Sequence, residues 1–185
     1  MLSRVGVISC SHAHWIRSSR VMGRRLAEAA GYPEGESLVH IPIDARGFAA
    51  VLPEAELLIL HTHGSPTGLY DFRADRQTTT IARLEEIAEM PRAEGVRLAV
   101  VTACEAAGGD PSHNLASVLS TRISPRGIVL ANRYVVWGED YDFGERAGRH
   151  GWVAYREGRL LLPEDAIPAS LTMADAYRIF MENGG

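Results

Sequence analysis

The chain is short of cysteine, of basic charge and of long apolar runs, and each shortage removes a class of protein. Two cysteines, Cys10 and Cys104, in 185 residues make no disulfide framework, and both are expected as reduced thiols. A net charge of −4 lacks the basic face of a nucleic-acid binder. The one local basic cluster, Arg20, Arg24 and Arg25, reads as a solvated helix face. No apolar stretch approaches the roughly 18 residues of a membrane span. The N-terminus runs straight into Val5-Gly6-Val7-Ile8 without a charged-then-apolar leader. The expected setting is therefore cytoplasmic, with neither nucleic acid nor membrane as partner. Repeats, low-complexity tracts and dividing linkers are also missing, so residues 1–185 read as one domain.

What the chain does contain is a regular alternation. Its apolar content of 46%, ordinary for a globular protein, falls into short apolar runs separated by amphipathic stretches, the pattern of an α/β fold. Strands are expected at Arg4–Ser9, Leu38–Ile43, Glu56–Leu60, Val96–Val101 and Gly127–Ala131. A first helix carries Val21, Met22, Leu26, Ala29 and Ala30 on one stripe and stops at Gly31. A second, from Thr79 to Met90, sets Ile81, Leu84, Ile87 and Ala88 at helical spacing before Pro91. A third opens at Asp110-Pro111 and carries Leu115, Ala116, Val118 and Leu119. Near the C-terminus, Trp152–Tyr155 and Leu160–Leu162 flank Arg156-Glu157-Gly158-Arg159 as a β-hairpin. Thr172 then caps a helix with Met173, Ala176, Tyr177 and Phe180 on one face. Ser65–Thr78 and Arg133–His150 read as long loops after strands, where function concentrates.

Two of the strand runs end in reactive chemistry. Glu56-Leu57-Leu58-Ile59-Leu60 leads into His61-Thr62-His63-Gly64, and Arg97-Leu98-Ala99-Val100-Val101 leads into Thr102-Ala103-Cys104-Glu105-Ala106-Ala107-Gly108-Gly109. Ligands of open α/β sheets sit beyond the carboxyl ends of the strands. If these two strands are neighbours, a base and a thiol nucleophile face a common crevice. Cys104 sits before small residues and a glycine pair, a setting for a tight turn whose N–H groups can meet an oxyanion. His63, with an ordinary pKa of about 6.5, can take the thiol proton or supply one to a leaving amine. Gly64 offers an N–H without side-chain obstruction.

These residues resemble the caspase-like (clan CD) cysteine peptidases, and within them the CHAT-type domain of bacteria. The resemblance rests on His63-Gly64, on Thr102-Ala103-Cys104-Glu105-Ala106-Ala107-Gly108-Gly109 and on the stretch Arg126–Trp137, and it spans roughly residues 56 to 140. It implies a three-layer fold: a central, mostly parallel sheet with helices on both faces, followed by the C-terminal hairpin and helix. It also implies a Cys104–His63 dyad with the N–H groups of Gly64 and Cys104 as oxyanion hole, and no organic cofactor. In this family's pattern the histidine acts chiefly on the leaving group. The substrate would be a protein or peptide, and an activator or recruiting partner would lie on a separate chain.

One departure concerns specificity. Relatives that select arginine or aspartate place Asp or Gln two residues before the cysteine, where this chain has Thr102. That position offers no charge selection, so acidic loop residues are expected to favour a basic side chain instead, and substrate contacts are assigned to Thr102, Trp137, Asp140, His12 and Asp71. Asp75, Glu139 and Asp142 are further loop carboxylates, and Tyr70 is a further aromatic wall. Two rival readings remain. One is a catalytically silent interaction module of the same fold. The other is a zinc-dependent hydrolase using His12, His14, His61 and Cys104, a donor set suited to tetrahedral zinc.

Overall fold

The computed structural model describes residues 3–33, 35–72, 78–134 and 151–184. Its main sheet begins with β1 (Ser3–Ser9), β2 (Ser37–His40) and β3 (Ala55–His61), continues with β7 (Leu98–Val101) and β8 (Ile128–Asn132), and ends with β9 (Trp152–Arg156) and β10 (Arg159–Leu162). The seven strands lie in the order β10-β9-β8-β7-β3-β1-β2. All neighbours from β2 to β8 are parallel, and the last two strands join antiparallel as the expected hairpin. Its turn residues Glu157 and Gly158 both take left-handed backbone (φ 49° and 75°), the requirement of a tight two-residue hairpin turn.

The strands form where the sequence offers β-branched and leucine-rich runs buried on both sides. Leu57–Leu60 and Leu98–Val101 have at most 1% exposure. Side chains alternate between faces. Leu57, Ile59, Leu98 and Val100 pack with Met22 and Leu26 of α1 (Ala13–Ala29) and with Ala176 and Phe180 of α5 (Met173–Glu182). Leu58, Leu60, Ala99 and Val101 pack with α2 (Ala45–Val51), α3 (Leu84–Glu89) and α4 (Leu115–Ser120), through Phe48, Ile87 and Leu119. The fold is thus α/β in three layers, with helices on both faces of a mostly parallel sheet. No helix among the described residues is long and apolar enough to cross a membrane.

Several local expectations need correction. Ser65–Thr78 is not a plain loop: β4 (His63–Ser65), β5 (Gly68–Phe72) and β6 (Thr78–Arg83) make a separate three-stranded antiparallel sheet. Thr79–Met90 is not one helix. Its first half is β6, where the β-branched run Thr78-Thr79-Thr80-Ile81 favours extended backbone, and only Leu84–Glu89 is helical. Asp110 does not cap α4; it closes a local turn by accepting from Ser112 N–H and Oγ at 2.8 Å. The cap is Asn114, whose Oδ1 accepts from Ser117 N–H at 2.9 Å while Ser117 Oγ accepts from Asn114 N–H. The second strand stops at His40 rather than Ile43, before Pro42, and α2 behind its Asp44 cap was not anticipated. On α1 the buried stripe is Ser19, Met22, Gly23 and Leu26, with Val21 only half-buried. Residues 135–150 of the expected second loop lie outside the described residues.

Candidate active site

The sheet order places β2 and β3 on opposite sides of β1, so the chain reverses its winding at β1, and the carboxyl ends there are where open α/β sheets form their ligand crevice. Register aligns the ends: Ile8 pairs with Leu60, Ser9 with His61, and Leu60 with Val101. Cys10, His61 and Thr102 therefore emerge side by side at one rim of the sheet.

His61 and Thr102 form the floor of the site. His61 is 3% exposed and Thr102 is fully buried. The Thr102 hydroxyl donates to the Leu60 carbonyl at 3.2 Å, which leaves its oxygen to accept from His61 Nδ1–H at 2.7 Å. Nε2 is then the unprotonated nitrogen of this ring. Burial drives the His61 imidazole down to about 3, and the neighbouring His14 and His63 act in the same direction. His61 is a fixed neutral group at every ordinary pH.

Trp15, in the first turn of α1, rests on both histidines. Its ring centroid lies 4.5 Å from that of His61 and 4.6 Å from that of His63, tilted by 42° and 54°. The two imidazoles thus point to the α1 side of the sheet, as their spacing of two residues on extended chain requires. His63 is half-buried. Burial pushes it below the ordinary value of 6.5, with the negative charge of Asp71 pulling the other way.

Cys104 follows β7 on a tight turn. Glu105 takes left-handed backbone (φ 52°), uncommon for a residue other than glycine, and so reverses the chain straight after the thiol. The turn is tied to the strand beside it: Glu105 N–H donates to Tyr134 C=O and Ala107 N–H to Asn132 C=O, both at 2.9 Å. The Glu105 N–H is therefore committed elsewhere and is no member of an oxyanion hole. Cys104 is half-buried, Cys10 is buried, and neither is in a disulfide.

Gly64 joins the two halves of the site. A Cβ at position 64 would stand 2.5 Å from Ala103 Cβ and 3.2 Å from the Cys104 carbonyl oxygen. Only a residue without a side chain lets the His63-Gly64 segment lie this close to the Ala103-Cys104 segment. The histidine and thiol segments therefore lie against each other where Gly64 meets Ala103.

Of the residues assigned to substrate, Thr102 lies beneath the site rather than on its surface, held by His61 and Leu60. Asp71 is not a solvated loop carboxylate. It lies on β5 at 5% exposure, where both oxygens stand 3.2 Å from Ser11 N–H and fix the β1–α1 turn. His12, the N-cap residue of α1, and His14 are exposed at the crevice edge. Tyr70 holds the Cys10 thiol through its carbonyl at 3.4 Å, and its hydroxyl stands 3.4 Å from Ser65 Oγ. Trp137 and Asp140 lie outside the described residues, as do Asp75, Glu139 and Asp142. Among the described residues no three His, Cys, Asp or Glu side chains are grouped to hold a metal ion, so His12, His14, His61 and Cys104 do not form a zinc set. Sequence reasoning missed Trp15 and the His61–Thr102 bond. The available signal for Trp15 was its place one turn into a helix that starts at the crevice.

No family model matches the chain, and none of the curated proteins compared with it matches either.

Proposed function

We propose that the chain is a cysteine endopeptidase of the caspase-like, CHAT-type kind, with Cys104 as nucleophile and His63 as its acid–base partner. The observation that carries this reading is the seat of Gly64 against Ala103 and the Cys104 carbonyl, which brings the histidine and thiol segments together at adjoining ends of parallel β3 and β7. The lowered pKa of His63 is a second support, because a neutral imidazole at physiological pH is ready to receive a proton.

In this scheme His63 takes the proton of the Cys104 thiol, and the sulfur attacks the carbonyl carbon of the scissile peptide bond. The carbonyl oxygen gains the negative charge and is met by the backbone N–H groups of Gly64 and Cys104. His63 returns the proton to the peptide nitrogen, the C–N bond breaks, and the amine product departs from a thioester on Cys104. Water, giving a proton to His63, then attacks the thioester. The C–S bond breaks, the carboxylic acid leaves and the thiol is restored. No organic cofactor enters these steps. Asp71 beside His63 favours the protonated imidazole that exists between the two halves of the reaction.

The test is a peptide-library digestion with the unaltered chain and with Cys104→Ala, paired with a thiol-reactive peptide probe mapped by mass spectrometry. Cleavage that depends on Cys104 and labelling at Cys104 are expected. Identical digestion by both proteins, or labelling at Cys10 instead, removes the reading.

A further inference from the structure

The main sheet ends at β2 without a further strand among the described residues, since β2 pairs with β1 alone. Val5 N–H donates to the Glu36 carbonyl at 3.0 Å. In a parallel ladder that register turns the backbone groups of Leu38 and His40 toward β1 and those of Ser37 and Val39 outward. Sheets usually guard such a margin with charged side chains or proline inside the strand. β2 reads Ser37-Leu38-Val39-His40, and proline comes only after its end. Leu38 is 48% exposed, and Ile41 and Ile43 beyond it are 41% and 65% exposed.

The two faces beside this margin differ in chemistry. Ser37 and Val39 pair with Val5 and Val7, the α1 side of the sheet, and border a groove of about 580 Å³ whose far wall carries Arg20, Arg24 and Tyr32. Leu38 turns to the opposite face. Within the groove, Arg24 stands 3.7 Å from Glu28, which Arg25 also engages at 3.2 Å. Arg20 has no acidic partner among the described residues. Among the described lining residues, two arginines thus stand against one glutamate, and the balance is positive. Its cations are guanidinium forks, in a chain that contains no lysine, and such forks favour carboxylates.

We propose that β2 accepts an extended segment of a partner chain as an added strand, and that this segment alternates acidic and apolar side chains. Side chains of a strand alternate faces, so one set enters the arginine-lined groove beneath α1 while the other covers Leu38. Main-chain bonds to Ser37 and Val39 supply affinity, and the unlike faces supply selection. A second copy of this chain is the poorer occupant. Antiparallel pairing of two β2 strands brings both Arg20–Arg24 clusters to one margin, like charge against like. Neither Cys104 nor His63 enters this contact, so it stands or falls apart from the peptidase reading.

The experiment is fluorescence anisotropy of a fluorescein-labelled decapeptide of alternating glutamate and valine, titrated with the whole chain. Saturable binding is expected, weakened about tenfold by Arg20→Glu and by Leu38→Asp, each checked for native far-UV circular dichroism. The same decapeptide with its backbone nitrogens methylated is expected not to bind the unaltered protein. Equal binding of a lysine–valine decapeptide overturns the charge selection, and binding of the methylated decapeptide overturns the added strand. Absence of any binding, or a sedimenting dimer that Arg20→Glu or Leu38→Asp dissociates, overturns the proposal as a whole.

Discussion

His61 ties stability to pH in a way that can be measured without knowing any substrate. Burial holds its imidazole at about 3 in the fold, whereas the unfolded chain restores the ordinary value near 6.5. Below pH 6.5 the unfolded state therefore binds a proton that the fold refuses. The sign follows directly: stability is complete above 6.5 and is lost as pH falls toward the native value. Each pH unit below 6.5 removes about 1.4 kcal/mol, so at about pH 5 the loss reaches about 2 kcal/mol. Because the folded ring is still neutral at that pH, this figure depends on the unfolded value alone. Urea unfolding followed by far-UV circular dichroism, at about pH 7.5 and about pH 5, compares the unaltered chain with His61→Asn. The unaltered chain is expected to lose about 2 kcal/mol more than the variant over that interval. Equal losses, or a His61 resonance that titrates near 6.5 in the folded protein, would refute the buried neutral assignment.

The other predictions concern the residues around the dyad. Gly64→Ala sets a methyl 2.5 Å from Ala103 Cβ; it is expected to destabilise the chain by about 1–3 kcal/mol and to lower kcat/KM of the proposed cleavage at least about tenfold, and an unchanged melting curve and rate would count against the close seat. Asp71→Asn removes the charge that raises the His63 pKa, so the acid limb of the kcat/KM profile is expected to move to lower pH; movement to higher pH would contradict the assignment. Thr102→Val strands the buried His61 Nδ1–H and is expected to cost about 1–3 kcal/mol in urea unfolding, whereas Thr102→Ser retains most of the stability; equal effects would dismiss the bond.

The parallel core was legible in the residues because β3 and β7 are buried on both sides, and such strands must be apolar throughout. Helix and strand were confused where the signal was short. Ile81, Leu84 and Ile87 sit three apart, a spacing that serves a helix, yet Ile81 reaches the same core from a strand and Leu84 and Ile87 from the helix after it. The local run of three threonines was the better guide than the period. Asp110 before proline carried a cap signature, but its carboxylate is satisfied two residues on, and Asn114 can bond reciprocally with Ser117 where Asp110 cannot. At the site, the shared direction of His61 and His63 followed from strand parity. Their meeting with Trp15, and the bond from His61 to Thr102, join residues some forty or more positions apart and arise only when α1 and β7 are docked on β3. Asp71 shows the limit most plainly: a carboxylate in an apparent loop is buried on a strand paired on both sides, where it accepts from Ser11 N–H some sixty positions away.

The indole of Trp15, lying against both imidazoles, gives the protein an optical reporter of its own crevice. An excited indole passes an electron readily to a protonated imidazole and far less readily to a neutral one, so emission from Trp15 dims when His63 gains its proton. In a variant whose other two tryptophans, Trp137 and Trp152, are replaced by phenylalanine, acid titration of the remaining emission follows protonation around the Trp15 ring before any substrate is known, and a ligand that displaces the ring announces itself by light.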